Sequence, residues 1–214
     1  LSLEVAYEKM PGTNLIDAFA QAAGLAKGEY DKRLDMYPRS HDAYFADRTV
    51  KTNKSIVVAP GPGLWPGRNW EQARWNKVCK TLLARGWEVI IVGTGREYPL
   101  PSTTDLRCKT SMHQAAAVIR RASAFVGIDS FPAHIAGAMG TSRVVLFGIT
   151  LARHILCDSP GTIAVESDPF HPFSGARHCH ERISSVMLGN PPDNPMNTIS
   201  VDCVLSAIES LPLK

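Results

Sequence analysis

From Lys54 onward, hydrophobic and polar positions alternate in a regular rhythm along the chain. Short apolar runs, the pattern of strands buried on both faces, take turns with longer segments whose apolar positions recur at helical spacing. The runs predict strands over Ser55–Ala59, Trp87–Val92, Asp105–Lys109, Ala124–Ile128, Val144–Phe147 and Thr162–Val165. The longer segments predict helices over Glu71–Arg85, Ser111–Arg121, Ala133–Met139 and Val201–Leu211, with Gly86 and Gly140 ending the first and third and Ser200 capping the last. Strands joined by helices in this way imply a parallel sheet with right-handed crossovers. The expected fold class is α/β, a Rossmann-like parallel sheet with helices on both faces.

Upstream the rhythm is weaker. Asn14–Leu25 carries a helical stripe at 15, 16, 18, 19, 22, 23 and 25, with Gly12-Thr13-Asn14 offering capping groups. Gly28 to Asn53 is polar and without clear periodicity, so it reads as a linker or a segment wrapped on a neighbour. A boundary is therefore expected near residue 50. Residues 1–50 would be an appendage or the remnant of a preceding domain, and residues 51–214 the Rossmann-like domain. The stretch 166–198 is rich in Pro, His, Gly and Asn and reads mostly as loop.

Composition narrows the functional classes. In 214 residues, 44% are hydrophobic and 20% charged, which suits an ordinary globular chain with a substantial core. The formal charge of +3, from 23 basic and 20 acidic residues without a long basic block, gives no case for nucleic acid or an anionic membrane. No run approaches the roughly 18 apolar residues of a membrane span. The opening LSLEVAYEKMPG lacks the pattern of a secretion signal. The five cysteines are scattered, so reduced thiols in a cytoplasmic protein are expected. His171 and the tripeptide His178-Cys179-His180 do not predict a metal site, because adjacent residues of an extended chain point to opposite faces. The chain begins with Leu rather than Met, and further sequence is expected ahead of it.

Two stretches carry candidate chemistry. In ASAFVGIDSFPAHIAGAMGTSRVVLFG (122–148), Asp129 and Ser130 stand where a strand ends and a helix begins, with Pro132 in the helix's first turn. Such a helix aims unpaired N–H groups and its positive dipole end at the sheet edge where open α/β sheets bind ligands. A nucleotide diphosphate suits that position. The alternative is that Asp129 or Ser130 merely caps the helix. The second stretch, PGPGLWPGRNW (60–70), holds Gly61, Gly63 and Gly67, which allow close backbone approach, and Arg68, whose guanidinium could reach a phosphate. Arg68 as a solvated surface residue stays open. Trp70 and Trp75 read as packing, and Trp65 could pack or stack. A nicotinamide site is disfavoured, since Pro62 and Pro66 remove N–H donors and no acidic residue ends the WEVIIV strand.

Three landmarks resemble a known family: VVAPGPGLWPGRNW, WEVIIVGTGRE and FVGIDSFPAHIAGAMGTSRVVLFGIT. They look like the C-terminal half of the glycosyltransferases that include the ADP-heptose:lipopolysaccharide heptosyltransferases (family 9, GT-B fold). The resemblance covers about residues 54–211, and NLIDAFAQAAGL is similar to the family's segment before its second domain. It implies an inverting, metal-independent transferase that uses no cofactor and takes an NDP-sugar donor, ADP-heptose-like. The acceptor would be a saccharide or lipid-linked saccharide in lipopolysaccharide synthesis, with at most peripheral membrane association. It implies Arg68 and Asp129 as catalytic groups, and a donor site of Gly61, Gly63, Arg68, Glu97, Asp129, Ser130 and His134. In that scheme Asp129 and Ser130 meet the sugar and diphosphate, Arg68 neutralises the leaving group where the family usually has Lys, and Glu97 holds the ribose. The general base would belong to an N-terminal domain. Phe131 stands where the family usually has Gly. A non-catalytic α/β module that binds a nucleotide or a protein is the other class.

Overall fold

The computed structural model describes residues 13–61, 66–97, 99–172, 174 and 194–213. In chain order these form α1 (Leu15–Ala22), α2 (Ser40–Thr49), β1 (Ser55–Ala59), a 3-10 turn (Pro66–Arg68), α3 (Gln72–Ala84), β2 (Glu88–Ile91) and β3 (Thr104–Asp105). There follow α4 (Met112–Arg121), β4 (Ala124–Ile128), α5 (Phe131–Ala138), β5 (Arg143–Phe147), α6 (Ala152–Ile155), β6 (Thr162–Glu166), a second 3-10 turn (Pro195–Thr198) and α7 (Val201–Glu209). The six strands make one parallel sheet in the order β3-β2-β1-β4-β5-β6. β1 lies at the centre, with Val57 opposite Ile90 of β2 on one side and Phe125 of β4 on the other.

Alternation along the strands feeds two apolar layers, as the period of two requires. On one face Ile56, Val58, Val89, Ile91, Val126 and Leu146 pack with Val78 and Leu82 of α3 and Val204 and Ile208 of α7. On the other face Val57, Ile90, Phe125, Val145 and Phe147 pack with Ala46 of α2, Ala116 and Ile119 of α4, and Ala133 and Ala136 of α5. Trp70 and Trp75 serve as packing: both are buried and meet edge to face with ring centroids 4.9 Å apart. Trp70 Nε1 donates to the carbonyl of Ile199, which draws the start of α7 onto the sheet.

Two helices depart from the pattern read in the sequence. α2 lies in the stretch that showed no periodicity, because its buried residues are only Asp42 and Ala46, too thin an apolar stripe to register. Its entry is tied by the Arg39 N–H donating to Asp42 Oδ2 at 2.9 Å. Just after α2, the buried carboxylate of Glu88 accepts from the N–H groups of Lys51 and Thr52 at 2.8 and 2.9 Å. α6 is a single turn held by Asn14. That side chain caps α1 by accepting from Ile16 N and donates to the carbonyls of Arg153 and Leu156. Among the described residues no helix is long and apolar enough to cross a membrane.

The opening residue of β5 is a fully buried arginine. Arg143 Nε donates to Thr162 Oγ1 at 2.9 Å, Nη1 to the Ala133 carbonyl at 2.5 Å and Nη2 to the Cys157 carbonyl at 3.2 Å. It thereby joins β6, α5 and the end of α6 from inside. A methyl group on Gly137 would overlap this guanidinium, so the glycine is needed for the close approach. Truncating Arg143 would strip buried carbonyls of a charged donor and leave a cavity. We expect Arg143→Ala to cost about 3 kcal/mol, a fall in Tm of roughly 6–12 °C for a domain of this size, measurable by thermal unfolding.

Candidate functional site

The order of the strands turns outward in both directions from β1 and β4. The connections leaving these two neighbours diverge, which opens a crevice at the carboxyl edge of the sheet. A cleft of about 710 Å³ lies there. Its floor is apolar and comes from Ala59, Val92, Ala115, Ile119 and Ile135. Gly61, Glu97, Ser111 and Ser130 line its sides, and the exposed side chains of Arg96, Met112 and Phe131 stand at its mouth. An apolar floor with a few convergent polar groups is the usual make-up of a small-molecule site.

Glu97 is placed by the glycine loop after β2. Its carboxylate accepts from Thr94 N at 2.8 Å and Thr94 Oγ1 at 3.3 Å, and folds back over Gly93 where a methyl group would collide with it. Two hydrogen bonds leave a carboxylate with acceptor capacity for a ligand hydroxyl. The loop is braced from behind by Arg107, whose Nη1 donates to the Glu97 carbonyl at 2.5 Å. Arg107 in turn forks onto Asp105, with Nε on Oδ1 at 2.9 Å and Nη2 on Oδ2 at 2.6 Å. These hydrogen bonds from Arg107 hold the Asp105 carboxyl down at about 2, below its ordinary 3.8.

The elbow after β4 divides its residues. Ser130 is the N-cap position of α5 and lines the cleft, but its hydroxyl donates to the Ile128 carbonyl at 3.2 Å and no side chain caps the helix. Capping is therefore not the role of either polar residue of the elbow. Asp129 lies beneath, 3% exposed, and is not among the residues lining the cleft. Its Oδ2 accepts from Thr150 Oγ1 at 2.7 Å and pairs with Arg68 Nη2 at 3.4 Å, while Arg68 Nη1 donates to the Asp129 carbonyl at 3.3 Å. Arg68 thus meets the peptide that joins Asp129 to Ser130, one residue from the cleft wall. Its side chain is 21% exposed and is not a solvated surface group. The loop that carries it is seated by Gly67, where a methyl group would strike Ile149, and by Gly148, where one would strike the Gly67 carbonyl.

Of the residues expected at a donor site, Gly61, Glu97 and Ser130 share one cleft, and Arg68 and Asp129 form a pair at its margin. His134 is half-buried on α5, one turn past Ser130, and is not among the lining residues. Gly63 and the His178–His180 cluster lie outside the described residues. Among the described residues no three of His, Cys, Asp and Glu gather into a metal-ligating group. Sequence reasoning missed Thr94, Arg107, Ser111, Met112 and Thr150. A helix predicted to begin at Ser111 could have flagged Ser111 and Met112, since helix starts gather at this edge of the sheet. Thr150 and Arg107 had no such signal.

Fold and crevice define a doubly wound α/β domain with a cleft at the switch in strand order, the place where such sheets bind ligands. Residues 4–157 match the family model for glycosyltransferase family 9 (heptosyltransferase), and the chain belongs to that family. Lipopolysaccharide heptosyltransferase 3 of Escherichia coli is 34% identical over 93 residues, a match that spans 38% of this chain and 27% of that relative. Among solved structures, the family 9 glycosyltransferase from Veillonella parvula DSM 2008 superposes with a TM-score of 0.69 at 15% identity, over 93% of this chain and 60% of its own. The dodecameric iron-containing heptosyltransferase TibC of enterotoxigenic E. coli H10407, solved with ADP-D-β-D-heptose, gives 0.66 at 17% identity, over 95% of this chain and 53% of its own. The chain therefore corresponds to part of each of these relatives, and at these identities the two structures speak to the fold, which is that of GT-B heptosyltransferases.

The brace behind Glu97 can be tested by titration. We expect the Asp105 carboxyl to titrate near pH 2 by NMR, and to return toward 3.8 in Arg107→Gln. Because the folded value is the lower one, the support that this pair gives the loop is present above about pH 4 and is lost as pH falls through 2.

Proposed function

We propose that this chain binds the NDP-sugar donor, ADP-heptose-like, of an inverting and metal-independent glycosyl transfer to a saccharide or lipid-linked saccharide. The observation that carries this reading is the cleft at the β1–β4 switch, with Glu97 and Ser130 in its walls and Arg68 beside the Asp129–Ser130 peptide. Support for the donor's class comes from the family and from the ADP-heptose bound by TibC. Glu97 takes the ribose hydroxyls, with acceptor capacity left over after its bonds to Thr94. The diphosphate lies against the uncapped N-terminus of α5, where the helix dipole and backbone N–H groups favour negative charge.

In the transfer, the acceptor oxygen forms a bond to the anomeric carbon as the bond from that carbon to the diphosphate oxygen breaks. The electron pair leaves with the diphosphate, and the acceptor's proton passes to a general base on a facing domain. This chain's share is to stabilise the charge that grows on the leaving group, through Arg68 and the start of α5. Asp129, buried under the elbow, acts through Arg68 and not on the sugar.

One observation favours a second reading. Phe131 is 56% exposed at the cleft mouth, where a large ring narrows the space for a sugar. A module that binds the nucleotide and transfers nothing would tolerate that ring. Release of nucleoside diphosphate in the presence of NDP-sugars and acceptors, assayed on the full gene product, separates the two.

Calorimetry with ADP, ADP-heptose and a panel of other NDP-sugars tests the main reading, and an absence of binding by every nucleotide overturns it. Arg68→Ala should weaken ADP on the order of tenfold or more while leaving adenosine nearly unchanged, as expected for a charged hydrogen bond to phosphate. Glu97→Gln should weaken ADP and adenosine alike. The same loss for both ligands in Arg68→Ala would mean the arginine does not meet the diphosphate.

A further inference from the structure

Met112 and Phe131 are the first residues of α4 and α5, two helices that start at the carboxyl edge of the sheet. An apolar stripe runs inward from each. On α4 it is Met112, Ala115 and Ile119, and on α5 it is Phe131 and Ile135, all at the spacings that share one helix face. All five residues line the cleft. The inner end of each stripe is closed core, since Ile119 and Ile135 are buried. The outer ends are open: Met112 is 54% exposed and Phe131 is 56% exposed. Two large apolar side chains thus stand half uncovered above an apolar floor. Glu97, with acceptor capacity to spare, lines the same space.

We infer that Phe131 is a donor-binding residue whose ring stacks on the nucleobase, with Met112 as the opposite wall of the slot. The inference rests on the reading under Proposed function and deepens it, by giving the base a place that the ribose and diphosphate do not use. A nucleobase is flat, and a ring laid against its face shields both from water without calling for a hydrogen bond. A thioether suits the other wall, because its flexible chain and polarisable sulfur adapt to an aromatic surface. The floor argues for the base over the sugar. Ala115, Ile119 and Ile135 offer hydroxyl groups no side-chain partner, whereas a base covers them with apolar surface. The nucleotide is then sorted along the cleft, with Glu97 at the ribose, the start of α5 at the diphosphate and the two exposed side chains at the base. The family resemblance puts glycine at position 131, so this ring adds a contact to the family's pattern.

The test is calorimetry with adenosine and ADP on the wild-type chain and its variants. Phe131 is exposed, so its replacement should leave folding intact, and thermal unfolding verifies this. Phe131→Ala should weaken adenosine and ADP by the same factor, about tenfold, the order that a stacked aromatic ring is worth to a base. Phe131→Tyr keeps the ring and should stay within about twofold of wild type. Phe131→Leu is apolar without a flat face and should fall toward the alanine variant. Met112→Ala should weaken both ligands by a smaller factor. The inference is overturned if Phe131→Ala binds adenosine as tightly as wild type does, the outcome expected of a ring that meets the sugar or a preceding domain. In that case a gain in affinity for ADP-heptose identifies the sugar as what the ring crowds. A loss confined to ADP, or a leucine variant that behaves like phenylalanine, overturns it as well. A wild-type chain that binds neither ligand sinks the reading of the cleft itself, whereas wild-type binding that is indifferent to position 131 sinks only the role of the ring.

Discussion

A parallel sheet covered on both faces has no room for polar chemistry except at its ends, and that constraint organises this molecule. Residues 55–59, 88–91, 124–128 and 143–147 are all buried. Any group that must meet a ligand is pushed to the carboxyl edge, where strands hand over to helices. The strand order then selects one place on that edge. Only between β1 and β4 do the outgoing chains part, and the cleft is found there.

Around the cleft, polar groups are arranged in two tiers. Glu97 and Ser130 face the space itself, while Arg107, Asp105, Asp129 and Thr150 fix the backbone or the charges behind them. In the rear tier Arg107 and Thr150 make bonds of 2.5–2.9 Å, whereas Asp129 meets Arg68 at 3.3 and 3.4 Å. Glu97, facing the cleft, accepts from Thr94 and keeps acceptor capacity to spare, while Arg107 and Thr150 behind the wall bond to protein groups.

The strands were legible in the sequence because a strand buried on both sides is simply an apolar run bounded by turn residues, as in SIVVA before PGPG. Gly61, Glu97 and Ser130 were legible for a related reason, since each follows a readable strand on the same sheet edge. Helix α2 was not, because one of its two buried residues is the acidic Asp42. Nor was the rear tier. Thr150 and Asp129 are 21 residues apart and Arg68 and Asp129 are 61 apart, so their meeting depends on the order of strands in the sheet and on no local pattern. Sequence placed Asp129 at the right elbow. Which way its side chain turned was a matter of tertiary packing.

The buried carboxylate of Glu88, gripping the chain just after α2, bears on how the molecule can be trimmed. Cutting ahead of residue 51 would free the new amino terminus from the helix that precedes it, bare the apolar side of α4 to water, and introduce an ammonium group beside an acid that accepts from two neutral backbone amides. Shortened forms meant for crystallisation or display would do better to start before Arg39, so that the helix and its carboxylate anchor travel together with the sheet.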